Sequence, residues 1–196
     1  MSEEKKAAQQ PKENKRPYEE CFYWLQTLVT AIVCIVLVFT FLGRVTRVVG
    51  HSMDPTLSDG EMMFVWSLGY EPEQGDIVVA NKTTAESVET LHGEAIIKRV
   101  IAVGGQTVEI DYENNLVYVD GAPLEEDYTL EWMREPWSEE MAQTYFEVPE
   151  GSVFLMGDNR NHSTDSRHVA LGPVDQDYLL GKAVFSFFPL STFGPV

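Results

Sequence analysis

The sequence predicts a mainly β domain preceded by one N-terminal transmembrane helix, and three observations carry that expectation. Residues 22–42 hold no charged side chain across 21 positions, which at about 1.5 Å per residue covers roughly the 30 Å of a bilayer's hydrocarbon core. Beyond them, short runs rich in Val and Ile alternate with Gly, Pro, Asp and Asn, the punctuation of successive strands. About 150 residues follow the apolar segment, enough for one domain with a real core but not for two.

Residues 1–20 are rich in Lys, Glu, Gln and Pro and poor in apolar side chains, the composition of a disordered tail. The anchor is placed at 21–43. It lacks the polar stripe of a buried soluble helix. It also exceeds the apolar core of a cleavable leader, and no small-x-small site follows at Gly43-Arg44-Val45. Lys5, Lys6, Lys12, Lys15 and Arg16 precede the span, while only Arg44 and Arg47 follow it closely. This imbalance predicts a cytoplasmic tail and an extracytoplasmic domain at 44–196. Five glutamates balance the five basic residues of the tail, so the formal charge of −17 belongs to the domain. That charge argues against nucleic acid or anionic lipid as a partner held by bulk electrostatics. Both cysteines, Cys21 and Cys34, fall at or within the span, leaving the domain without a disulfide or a thiolate metal site.

Strands are expected at Arg44 to Val49, Met62 to Trp66, Asp76 to Ala80, Ile96 to Val103 and Thr107 to Ile110. Leu116 to Val119 runs into Asp120-Gly121, a pair suited to a type I′ hairpin turn, with Ala122-Pro123-Leu124 as the return. Residues 125–147 carry eight acidic side chains, several aromatic ones and only one basic residue, Arg134; the expectation is a short insert spanning about 111–150. Strand character resumes at Val153 to Met156 and again at Ala183 to Phe188, which Pro189 ends.

Two residues stand out chemically. Ser52 lies just past the apolar segment, in Gly50-His51-Ser52-Met53-Asp54-Pro55. Lys98 interrupts the apolar run Ala95 to Val103. In a strand Ile96, Lys98, Val100 and Ala102 share one face, so the lysine sits among apolar neighbours. Burial disfavours its ammonium form, and a pKa near 7 corresponds to roughly 4 kcal/mol of desolvation. A neutral lysine can deprotonate a serine in place of histidine. The competing structural account is a lysine at a sheet edge, or one that snorkels to water. A triad of Ser52, His162 and Asp165 also remains open. Zinc and calcium are disfavoured, since no His-x-x-x-His, paired-cysteine or calcium-loop spacing occurs. Gly157 to Arg167 is dense in short side chains that bond to backbone, as tightly structured turns are. Within it Asp165 and Arg167 are spaced to form an ion pair.

Taken together, the motifs resemble those of the bacterial type I signal peptidases. Ser52-Met53-Asp54-Pro55-Thr56-Leu57 is similar to the family's nucleophile block, and Gly75-Asp76-Ile77-Val78 to its G-D-I-V strand. Lys98 to Val108 resembles the lysine block, and Gly157-Asp158-Asn159-Arg160 with Ser163, Asp165, Ser166 and Arg167 the G-D-N-R block. The resemblance covers about residues 20–190. It implies a β-rich, barrel-like catalytic domain that needs no cofactor and acts by acyl transfer. Signal peptides of exported preproteins, with Ala-x-Ala-like sites, are the implied substrates, and membrane lipid and the export translocon the implied neighbours. Ser52 is then the nucleophile and Lys98 the general base. Ser163 orients the amine, Asp165 and Arg167 brace the loop, and Met53 shields the lysine. Val48 and Ile97 wall shallow apolar pockets. Two departures stand out. Gly50 occupies a position where some members carry a serine that donates to the oxyanion, and Gln106 replaces an aspartate. The implied alternatives are a self-cleaving repressor peptidase, against which the apolar span argues, and an inactive anchored homologue that binds signal peptides without cutting them.

Overall fold

A computed structural model describes residues 17–81, 95–136 and 138–196. The first 16 residues of the expected tail, His92 and Trp137 lie outside them. The helix α1 covers Pro17–Phe41, so the last four residues assigned to the tail are helical. Pro17 suits a first helical position, where no N–H is needed, and nothing between it and the apolar run breaks a helix. Within α1, Glu20–Phe41 is long and apolar enough to cross a membrane.

The unit from Thr40 onward is mainly β. Its strands are β1 (Gly43–Arg47), β2 (Met62–Trp66), β3 (Ile77–Ala80), β4 (Ile96–Val103), β5 (Thr107–Asp111) and β6 (Leu116–Val119). There follow β7 (Ala122–Pro123), β8 (Tyr145–Glu147), β9 (Ser152–Met156), β10 (Val174–Asp175), β11 (Leu179–Phe188) and β12 (Gly194–Pro195). The main sheet runs β1-β2-β11-β3-β4-β9-β10, with β12 also on β11. It curls into a half barrel instead of closing, and β1 and β10 remain edges. A smaller sheet runs β7-β6-β5-β8. Asp120 and Gly121 both have positive φ, 52° and 78°, as the hairpin turn between β6 and β7 requires.

Sequence reasoning placed the start of β11 four residues late and missed β8, β10 and β12. Each missed strand has two or three residues, too few for a pattern to show. The expected insert packs into the rest of this unit. Its strands β6 and β8 flank β5, and one core cluster joins Val108, Val117 and Phe146 of this sheet to Ile101, Phe154 and Met156 of the main one. The rings of Phe146 and Phe154 lie 4.7 Å apart between centroids. Strict alternation along β4 also needs correction. The register against β9 shifts between Val100 and Ala102. This bulge sends both Ile101 and Ala102 into that shared cluster, while Ile96 and Val100 pack with Val78 and Leu155 in a second.

Candidate active site

The chain leaves β1 through Val48, which is buried and pinned at both backbone groups. Its N–H donates to the Glu61 carbonyl (2.8 Å), and its carbonyl accepts from the Gly60 N–H (2.9 Å). Gly50 then turns at φ +89°, a conformation that L side chains rarely adopt, and its N–H is committed to Asp59 Oδ1 at 2.9 Å. This is why a glycine suits the position. It also removes the Gly50 N–H as an oxyanion donor. Residues 51–57 form a tight turn in which the Leu57 N–H reaches the Met53 carbonyl (2.9 Å). Met53 and Leu57 are both 1 % exposed. Their burial fixes the turn and leaves Ser52 half-buried beside Met53. Among the described residues no hydrogen bond uses the backbone N–H of Ser52 or Met53.

Lys98 projects from β4 and is 4 % exposed. Its Nζ donates to Ser52 Oγ at 2.7 Å and to the Ile97 carbonyl at 3.0 Å. Burial pulls its pKa down from 10.5 to about 8, against the upward pull of the Asp165 and Asp158 carboxylates, while Arg167 lowers it further. The second bond of the Lys98 amine goes to the Ile97 carbonyl and not to Ser163, the residue expected to orient it. Ser163 Oγ is buried, lies against Gly157 and sits close enough to Asp165 to help lower its pKa, but among the described residues it makes no hydrogen bond to the lysine. Met53 lines the same cleft as Lys98 and packs in the third core cluster with Val48 and Ile97.

Asp165 and Arg167 form the expected buried ion pair, through Nε to Oδ1 at 2.8 Å and Nη2 to Oδ2 at 2.9 Å. Desolvation alone would raise the Asp165 pKa. The Arg167 charge and hydrogen bonds from Arg167 and the Gly157 N–H outweigh it and hold the carboxyl below its usual range. Arg167 Nη2 also donates to the Arg160 carbonyl at 2.6 Å, closing the loop on itself. With Asp165 so occupied, the alternative triad is not assembled. His162 is exposed, and among the described residues it forms no hydrogen bond or ion pair with Asp165, while the His51 ring turns to Asp54 at 3.0 Å.

Several residues that join these segments received no role from sequence reasoning. The Asn159 N–H donates to the Ser52 carbonyl (3.0 Å), and its Nδ2 to the His51 carbonyl (3.0 Å). Arg99 grips Asp158 through Nε (2.9 Å) and Nη2 (2.7 Å), and Asp158 accepts from Thr56 Oγ1 (2.5 Å). Their motif blocks flag them as a group. The pairing across 102 positions from Thr56 to Asp158 has no local signal. Gly157 sits where these parts converge, and a Cβ there would lie 2.5 Å from the Ser52 carbonyl oxygen and overlap Ser163. Gly157→Ala is therefore expected to push Ser52 and Ser163 aside and to cost about 1–3 kcal/mol of stability, measured by denaturant unfolding.

A cleft of about 490 Å³ opens over Ser52 and Lys98. Residues 46–53, residues 95–98, His162 and Thr164 line it. Val48 and Ile97, expected as pocket walls, both line it. The last pair between β4 and β9 is Arg99 with Met156, so residues 96–98 pair with β3 on one side and, among the described residues, with no strand on the other.

The family model for signal peptidase, peptidase S26, matches residues 21–188. A probable signal peptidase I-1 of Synechocystis sp. is 40 % identical over 171 residues, 85 % of this chain and 82 % of that protein. A signal peptidase I of Bacillus licheniformis is 35 % identical over 177 residues, 87 % of this chain and 90 % of that protein. A crystal structure of a signal peptidase I from Enterococcus faecalis V583 is 28 % identical and covers 58 % of this chain and 97 % of that one, with a TM-score of 0.42.

Proposed function

The chain belongs to the signal peptidase family, peptidase S26, a family of serine endopeptidases, and from that premise we propose that it removes N-terminal signal peptides from exported preproteins with a Ser52–Lys98 dyad. The observation that carries this reading is a buried lysine amine 2.7 Å from a serine hydroxyl at the floor of an open cleft. Neutral Lys98 takes the Ser52 proton as Oγ attacks the scissile carbonyl. The resulting oxyanion faces the free Ser52 N–H. The protonated amine then gives its proton to the leaving amine, and the acyl-enzyme remains. Water, deprotonated by Lys98, hydrolyses that ester and frees Ser52.

An extended substrate adds as a strand along the open edge at 96–98. Val48 and Ile97 supply apolar walls that accept the small residues of an Ala-x-Ala-like site. The helix α1 anchors the enzyme, with the tail cytoplasmic and the domain extracytoplasmic near the export machinery. Anchoring keeps site and substrate in the same membrane and raises their effective concentration.

The test is cleavage of a preprotein with an Ala-x-Ala site by the detergent-solubilised full chain. Wild type is expected to cut at that site and Ser52→Ala not at all. Cleavage at neither form's hands would favour an inactive homologue. With a lysine pKa of about 8, roughly a tenth of the enzyme carries the neutral base at pH 7 and roughly nine-tenths at pH 9. The rate at subsaturating substrate should rise about tenfold across that interval. A flat profile would exclude Lys98 as the base.

A further inference from the structure

The acidic segment after β7 contacts two arginines of the segments that support the site. Glu126 forms a two-pronged ion pair with Arg160, Nη1 to Oε2 at 2.8 Å and Nη2 to Oε1. The guanidinium is almost completely buried, and its Nε donates to the Gly157 carbonyl at 3.1 Å. Tyr128 donates its hydroxyl to Glu126 Oε1 at 2.9 Å. Its ring centroid lies 3.9 Å from the Arg99 guanidinium carbon and 5.9 Å from that of Arg160. These two side chains therefore hold both arginines. Arg160 leads to the Gly157 turn packed on Ser52, and Arg99 leads through Asp158 to Thr56 in the nucleophile turn.

A buried ion pair adds little stability over an apolar pair of the same volume. What a guanidinium gripped by a carboxylate fork does supply is a fixed direction for its Nε–H, and that donor is aimed at the Gly157 carbonyl. We propose that Glu126 and Tyr128 are positioning residues for the Ser52–Lys98 dyad, acting through Arg160 and Arg99. The inference rests on the dyad reading above. It gives the acidic segment a task in the reaction, since displacements near 1 Å at reacting atoms cost about 100-fold in rate.

The experiment compares the full chain in detergent with Glu126→Gln/Arg160→Met, which removes the pair without leaving an unpaired buried charge. Preprotein cleavage and acylation of Ser52 by a small reactive ester are both followed against pH. Expected for the double variant are an unchanged melting temperature, a kcat about 100-fold lower with KM nearly constant, and slower acylation. The acid limb should also move to higher pH, because a loosened site readmits water to Lys98. Tyr128→Leu is expected to act in the same direction, and Tyr128→Phe, which keeps the ring, to recover most of that loss. Wild-type rates in the double variant would overturn the proposal. So would a lowered melting temperature with an unmoved acid limb, the mark of a merely structural pair. If wild type fails to cut the preprotein yet acylates, the substrate reading falls, while the acylation comparison still decides the positioning role.

Discussion

Replacing Lys98 with Met is expected to abolish cleavage while making the folded protein more stable. Removing the base of such a dyad costs on the order of 10⁴-fold or more in rate. The stability gain follows from proton linkage. Lys98 has a pKa of about 8 when folded, against 10.5 for the free side chain. Between those values the unfolded chain binds more protons, so wild-type stability rises with pH through that window. Below about pH 8 the fold carries the full penalty of a buried ammonium, about 3 kcal/mol. Met fills a similar volume without a charge and escapes that penalty. Denaturant unfolding of wild type and variant in the same detergent should show the variant ahead by up to about 3 kcal/mol at pH 7. The difference should shrink toward zero as pH approaches 10.5. A variant that is less stable at pH 7 would mean that the lysine is not held in a desolvated site.

Asp165→Asn should have the opposite effect on stability. Arg167 is 2 % exposed, and its two bonds to Asp165 would be replaced by at most one neutral acceptor. Breaking a buried pair by removing one partner costs about 3–5 kcal/mol, because the other charge stays buried. The Gly157 N–H also loses its carboxylate acceptor, so the dyad should fail in the molecules that still fold. Arg167→Met/Asp165→Leu should recover stability without recovering activity. The depressed carboxyl pKa gives a matching signature. Its contribution is present above the unfolded pKa and is lost as pH falls through the folded value, so Asp165→Asn should flatten the acid side of the stability curve. Thermal unfolding between pH 3 and 7 would reveal a curve of unchanged shape if the pair were unimportant.

The parts of this fold that were legible in the sequence are those with local causes. The apolar helix, the strands from β2 to β6 and the Asp120-Gly121 turn each follow from composition, alternation or backbone conformation within a few residues. Ser52 and Lys98 were legible because both are out of place: a polar block behind a long apolar helix, and a cation in an apolar strand. The support around them was harder to see. Nothing near Ser163 signals that the Ile97 carbonyl would take the amine's second bond, since a backbone acceptor has no sequence signature. The β4 bulge arises from pairing with β9, fifty residues away, and it reverses an alternation that looks unbroken in one strand. The acidic segment reads only as an insert, because Arg160, which pairs with Glu126, and Arg99, which packs on Tyr128, belong to other segments.

The unpaired edge at residues 96–98 bears on how many different chains one such enzyme could process. A strand docked there is held by peptide N–H and carbonyl groups that every residue except proline presents alike. Only the short stretch over Val48 and Ile97 would inspect side chains, and it would inspect them for smallness. Recognition of that kind is a filter on shape at two or three positions, indifferent to the text on either side. Preproteins with unrelated sequences could thus share a single processing site.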